Sequence, residues 1–457
     1  MLFSTNNINA QISPGLDSEL QHTLDSMRAV LGAKSLSAAI QTADGSTWAH
    51  ASGISSVSPA SDVTPNDTYL IGSVTKTITS ACILQLADEQ VLSLDDSLHE
   101  WLPTIPYIDS TITIRQLLNH TSGIYDVLSH PHNQDSLLVD ISRIWTAEEL
   151  IDRFISPPLF QPGTSWSYSN TNYFLLSMII REATGNPFYT ELRNRFFNPL
   201  QLNSFAIPAF ETLSSPVAHL WLDITGDGVL DEANSFYMSY LSLNSTAGAA
   251  GGYFSTPTDC TKWMRSYMRG DLLSASMMAE AKTTVSAPAS QGGRYGLGLM
   301  KNQTHFLGYE GYGHGGDLAY HASSWYFPEF DQSITVFTND NNKNSWTLLP
   351  VVRELLRTYV ENTTASLKEH QTGDFLVSPV PFTKELTITW KNFSSDEELR
   401  FTLTDAFGRI VTTRITDPFT KKQDAITFQN LESLPAGVYF VNITGSNFQT
   451  QSIKVLK

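Results

Sequence analysis

The chain has 457 residues, 41% of them apolar, and a net charge of −17. That length suggests two or three domains with a substantial core, and no run of about 18 apolar residues marks a membrane span. The acidic balance argues against nucleic acid, whose phosphates demand a basic face.

Charge is unevenly spread. Asp374 to Lys457 hold nine Lys/Arg and nine Asp/Glu, so the whole −17 falls on the first 373 residues. Regions so different in charge read as separate modules. Cys82 and Cys260 offer neither a disulfide framework nor zinc spacing, and Cys82 is expected to be buried as a small hydrophobe.

Met1 to Gln11 lacks a basic n-region and a full apolar h-region. Residues 1–14 read as the remnant of a leader, with Ile8-Asn-Ala-Gln11 as the tail of a cleavage site. Ser18 to Leu31 predicts an amphipathic helix. Ser35 to Thr42 and Gly45 to Gly53 predict two strands joined by a turn at Ala43-Asp44-Gly45.

The run after Tyr69-Leu-Ile-Gly-Ser-Val-Thr-Lys76 predicts a helix, since Ile78, Cys82, Ile83 and Leu86 recur at steps of three and four. Ser73 then lies at the helix start, where free N–H groups and the dipole favour an anion. Lys76 is one turn on, on the same face. A Ser hydroxyl needs a base to become a nucleophile, and a desolvated lysine can serve. An isolated Ser-x-x-Lys is more often a helix cap beside a solvated lysine, so its companions must decide.

Further helices are expected early in Thr111 to Gly123, over Thr146 to Phe154 and Tyr173 to Ala183, and ending over Met264 to Gly270. Four runs then read as antiparallel strands: Gly296 to Met300, Tyr312 to Gly316, His321 to Phe327 and Ser333 to Asn339. A helix over Trp346 to Tyr359 closes the module. Strands at both ends with helices between imply an α+β domain, an antiparallel sheet flanked by helices with a helical subdomain. Glu361 to Gly373 is polar and aperiodic and reads as a linker. Residues 374–457 then alternate with period two in six short runs, which predicts a small β-sandwich.

Two signals follow Ser73 and Lys76: Tyr168-Ser-Asn170 before a helix, and His314-Gly-Gly316 within a strand. With the flanks Ile112 to Gly123 and Ala250 to Asp259, this ordered set resembles the serine β-lactamase-related superfamily of class C β-lactamases, D-alanyl-D-alanine carboxypeptidases, D-aminopeptidases and esterases. The resemblance covers residues 15–360. It implies that Ser73 is the nucleophile and that Lys76 assists its activation. Tyr168 would be general base and then acid, and Asn170 would hold Lys76 and the substrate amide. Backbone N–H groups of Ser73 and Asp317 would bind the oxyanion. Gly315 and Gly316 would let substrate lie close along the strand.

His314 stands where class C lactamases have a fixed lysine. A mostly neutral histidine, with Asp317 beside it, weakens recognition of a carboxylate and favours the peptidase and esterase branches. No cofactor is expected, and the substrate is a small molecule or short peptide. A protein that is acylated without turnover is the alternative.

Asp223, Thr225, Asp227 and Asp231 space oxygens like the start of an EF-hand loop, with Gly228 at the sixth place. The twelfth place is Asn234, not Glu, and a plain Asp-Gly turn explains the run as well.

Val377-Ser-Pro-Val-Pro-Phe, Leu403-Thr-Asp-Ala-Phe-Gly-Arg, Leu434-Pro-Ala-Gly-Val-Tyr and the ending Ile453-Lys-Val-Leu-Lys resemble the type IX secretion sorting domain of Bacteroidetes bacteria. That implies secretion machinery as a partner and an extracellular or cell-surface location.

Overall fold

In the computed structural model the described residues are 12–233, 241–289, 292–368, 375–378, 382–390, 399–405, 409–416, 425–435, 438–445 and 451–457. Of the leader remnant expected over residues 1–14, residues 1–11 fall outside them, and Ser13 and Pro14 belong to the start of a helix. The chain divides into two compact units, Met1–Leu356 and Arg357–Lys457.

The first unit is built on a nine-stranded antiparallel sheet. In chain order its strands are β1 (Ser35–Gln41), β2 (Thr47–Val57), β3 (Ala60–Asp62), β4 (Val285–Ser286), β5 (Arg294–Tyr295), β6 (Met300–Asn302), β7 (Gly311–Leu318), β8 (Tyr320–Phe327) and β9 (Gln332–Thr338). Across the sheet they run β3-β2-β1-β9-β8-β7-β6-β5-β4. The first and last parts of the unit therefore meet at β1 and β9, with Ala39 opposite Thr335. β8 and β9 are buried along their whole length, polar His321, Ser323, Ser324, Ser333 and Thr335 included.

The run Gly296 to Met300, expected as one strand, is a strand only at Met300, which opens β6; residues 296–299 are the connection from β5. Gly298 has φ +76°, and a Cβ on it would lie 2.5 Å from the Ser80 Cβ, so the chain bends where the helix that carries Ser80 presses against it.

Helices pack against the sheet. α1 (Pro14–Leu31) starts four residues before its apolar pattern does, because Ser13 caps it and Pro14 suits the first helical position. α2 (Thr75–Asp88) is buried on nearly every side, and Cys82 and Cys260 are both free and buried. α3 (Ala147–Phe154) opens with a Thr146/Glu149 capping box. α4 (Thr171–Thr184), α5 (Leu241–Gly251) and α6 (Pro257–Arg269) complete the surroundings of α2. α7 (Leu349–Lys368) spans the division between the units at Leu356 and runs eight residues into the segment expected as a linker. Polar Asn362 and Thr363 stay helical by donating to the carbonyls of Thr358 and Tyr359, one turn back.

In the second unit β10 (Phe375–Ser378), β11 (Leu386–Trp390) and β14 (Ala425–Phe428) form one sheet in the order β10-β11-β14. β12 (Leu399–Asp405), β13 (Ile410–Ile415), β15 (Val438–Gly445) and β16 (Gln451–Leu456) form another, ordered β13-β12-β15-β16. Phe375, Ile388 and Phe428 of the first share one buried cluster with Phe401, Val441 and Val455 of the second. This is a small sandwich.

Candidate active site

Ser73 sits in a single 3₁₀ turn, Gly72–Val74, that leads into α2. Gly72 has φ +52°, and a Cβ there would stand 2.8 Å from the Asp317 nitrogen. A Cβ on Gly316 would meet the Ile71 oxygen and come 3.0 Å from the Ser73 nitrogen. The Ser73 turn and β7 thus touch backbone to backbone, a contact that only glycines permit. β6 pairs with β7 only at Gly311–Gly313, which leaves the edge of β7 from His314 onward without a described strand neighbour on that side.

Lys76 is wholly buried. Its Nζ lies 3.0 Å from Ser73 Oγ, and it donates to Asn170 Oδ1 at 2.7 Å and to the Ala250 carbonyl at 2.7 Å. The two carbonyl oxygens only accept, so they hold two N–H groups and turn the third direction of the amine toward Ser73. α5 supplies the Ala250 oxygen from its last turn, where carbonyls lack helical partners. A kink at Gly248 (φ 40°, ψ −128°) lies just before it. Burial lowers the Lys76 pKa to about 7, opposed by the negative charge of Asp126.

Tyr168 lies beside them, with Lys76 Nζ 4.8 Å from its ring centre. Burial raises its pKa well above the usual phenol value, and the neighbouring Ser73 hydroxyl works the other way. The Tyr168 hydroxyl is buried and meets no partner at hydrogen-bonding geometry among the described residues. Such contacts often close only around a substrate. Asn170 Nδ2 donates to Asp126 Oδ2 at 2.9 Å.

His314 is buried, and burial with the nearby Lys76 charge drives its pKa down to about 3. Its Nδ1 hydrogen goes to the Gly315 carbonyl, so Nε2 accepts from the Tyr295 hydroxyl at 2.9 Å. Asp317 takes Ser345 N–H and His321 Nδ1–H on one oxygen, and the Ser345 hydroxyl on the other. Burial alone would raise its pKa, but those bonds from His321 and Ser345 hold it below the usual carboxylate value.

Ser73, Tyr168, Asn170, His314, Gly315 and Asp317 line one cavity of about 220 Å³, with Leu128, Met300, Leu318 and Trp346 as apolar wall. Lys76 and Gly316 stand directly behind it. None of the described lining residues is Lys or Arg.

Three side chains of this site were not singled out from the sequence. Asp126 is one. His120 is another: its ring centre is 4.3 Å from that of Tyr168, and its Nδ1 accepts from the Ser169 N–H. Tyr295 is the third. His120 and the Ala250 carbonyl lay inside the flanks that carried the family resemblance; Asp126 and Tyr295 carried no signal.

The EF-hand-like run forms a turn elsewhere. Asp223 accepts the N–H groups of Gly226, Asp227 and Gly228, and Asp231 accepts that of Ile224. Among the described residues no group of three or more His, Cys, Asp or Glu is placed to hold a metal ion. Asn234 lies outside the described residues.

A serine turn, a buried lysine and a tyrosine between a helical region and the edge of an antiparallel sheet define a β-lactamase or transpeptidase-like serine fold. Residues 21–353 match the beta-lactamase family, and the chain belongs to it. Residues 376–457 match the secretion system C-terminal sorting domain, which marks the protein as secreted or held at the cell surface. A penicillin-binding protein of Bacillus subtilis (strain 168) is 30% identical over 158 residues, 34% of this chain and 34% of its own length. The match thus spans about a third of that relative. Among solved structures, a D-stereospecific amidohydrolase from Streptomyces sp. is 30% identical with TM-score 0.62, covering 71% of this chain and 94% of that one. A D-amino acid amidase from Ochrobactrum anthropi SV3 is 25% identical with TM-score 0.65, covering 77% and 99%. No described helix is long and apolar enough to cross a membrane.

Proposed function

We propose that this protein hydrolyses a small amide, peptide or ester through an acyl group carried on Ser73. The observation that carries the reading is the lysine amine held by two carbonyl oxygens with its remaining direction 3.0 Å from Ser73 Oγ. With a pKa of about 7, a good fraction of Lys76 is neutral at physiological pH and able to take the Ser73 proton. Ser73 Oγ then bonds to the substrate carbonyl carbon. The oxyanion falls between the N–H groups of Ser73 and Asp317, a pair worth a few kcal/mol by analogy with other hydrolases. Tyr168, a neutral phenol, gives its proton to the leaving amine or alkoxide and regains one from Lys76. Water enters on the vacated side, loses its proton to the same groups, and releases the acid.

On substrate, the pocket favours an acyl group without a carboxylate. It offers an ionised Asp317 and, among its described lining residues, no Lys or Arg. The two structural relatives named above are a D-stereospecific amidohydrolase and a D-amino acid amidase. D-configured amides and short peptides therefore lead, with simple esters next and β-lactams last.

The test is intact-protein mass after brief exposure to p-nitrophenyl acetate, D-phenylalanine amide, a D-Ala-D-Ala peptide and nitrocefin, with product release followed alongside. A transient adduct on Ser73 with turnover of ester or amide supports the reading. A stable nitrocefin adduct without turnover makes the protein an acylated sensor. No adduct with any substrate means that it is not an acyl-transferring enzyme.

A further inference from the structure

Asp126 belongs to none of the motifs, yet its carboxylate ends a chain of contacts that begins at the nucleophile. Lys76 meets Ser73 and donates to Asn170 Oδ1, and Asn170 Nδ2 donates to Asp126 Oδ2 at 2.9 Å. The other oxygen, Oδ1, accepts the Leu128 N–H at 3.2 Å. A carboxamide has two faces of nearly equal shape, and its neighbours decide which one points where. Burial raises the Asp126 pKa, opposed by its bonds from Leu128 and Asn170 and by the Lys76 charge; as a carboxylate it only accepts, so it captures the amide NH₂ and leaves the carbonyl face for Lys76. Turned over, the amide would press N–H groups against the amine and deprive it of one of the two acceptors that aim it.

We propose that Asp126 is a positioning residue, which holds the Asn170 carboxamide in the orientation that directs Lys76 at Ser73. The proposal rests on the reading of Lys76 as the base for Ser73. It competes with a plain structural role, because Asp126 also caps the short turn Val127–Ser129 through its bond to Leu128. Asparagine separates the two. It caps as well as aspartate, but its amide can present either hydrogen or oxygen to Asn170 and so no longer dictates the orientation.

Charge supplies a second readout. Around Lys76 stand Asp126, the rings of Tyr168 and Tyr173, and the buried His120 and His314. Asp126 is the anion whose field raises the Lys76 pKa against burial. Removing that charge moves the lysine titration further down.

The experiment compares full-length wild type, Asp126→Asn and Asp126→Glu by the pre-steady-state burst with p-nitrophenyl acetate across about pH 5 to 10, alongside thermal melting. Asp126→Asn is expected to melt near wild type and to acylate about 10- to 100-fold more slowly, the range for partners behind a catalytic group. Its ascending pH limb should lie below that of wild type, with kcat affected more than KM. Asp126→Glu should return the limb toward its original place. Wild-type acylation and an unmoved limb in Asp126→Asn would overturn the proposal. So would a loss of rate that follows a lowered melting temperature with the limb unmoved. Should wild type itself form no acyl adduct, the underlying function fails and the role of Asp126 falls with it. A normal wild-type burst beside an unaltered Asp126→Asn burst overturns the role of Asp126 alone.

Discussion

At the scale of single residues, the proposed chemistry depends on a lysine kept from water. Ser73 and Tyr168 are half-buried on the cavity wall with Lys76 wholly buried behind them, and burial shifts Lys76 and Tyr168 more than any ion pair does. If Lys76 is the base proposed for Ser73, it takes the proton only when neutral, so kcat/KM for a neutral ester should rise with pH through about 7 and then level off. A rate that rises instead through the carboxylate range would assign the base to another group. Ser73→Ala should remove both adduct and turnover while the melting temperature holds. Tyr168→Phe leaves the Lys76–Ser73 contact in place and should slow acylation by about 10²- to 10⁴-fold, as loss of a positioned proton donor does. Near-normal burst rates in that variant would leave Lys76 as the sole proton carrier. Ser73, Lys76, Tyr168, Asn170 and His314 were legible in the sequence because each sits in a short motif of fixed spacing. Asp126 and Tyr295 were not, since each contributes one side chain brought in from a distant segment. The Ala250 contribution is a backbone oxygen, which no residue type announces.

At the scale of elements, the site exists because the turn before α2 and the strand β7 lie against each other. Gly316→Ala tests that contact. Its new Cβ would overlap the Ile71 oxygen and crowd the Ser73 nitrogen, so the strand must withdraw from the oxyanion position. We expect acylation to fall more than about tenfold and stability to drop by about 1–3 kcal/mol, the usual cost of overpacking. Unchanged burst amplitude and rate would mean that these segments part without consequence. The elements themselves were well marked, with α2, α4, α6 and the strands β7, β8 and β9 close to their expected ranges. The failures have separate causes. The run from Gly296 alternates like a strand yet turns at Gly298, where Ser80 of α2 stands against the backbone. The end of α7 looks like a linker by polarity, yet its Asn and Thr side chains satisfy helix carbonyls.

At the scale of the whole molecule, the two units divide the work. The first carries the site and all of the net charge, and the second, with its own buried cluster, matches a sorting domain. Deletion of residues 376–457 should leave the protein behind the outer membrane in a host with the type IX system, read by cell fractionation. Appearance of the shortened chain in the medium at the normal level would remove the sorting role.

Sequence alone determined the family, the order of the nucleophile, lysine, tyrosine and strand motifs, and the presence of a separate β module, because spacing and periodicity are local and survive in one dimension. Tertiary structure alone decided which groups surround Lys76, that it is shut away from water and so titrates near 7, and that Asp126 and Asn170 meet behind it. Burial and hydrogen-bond direction arise only when distant segments pack, and those two quantities set what each side chain can do.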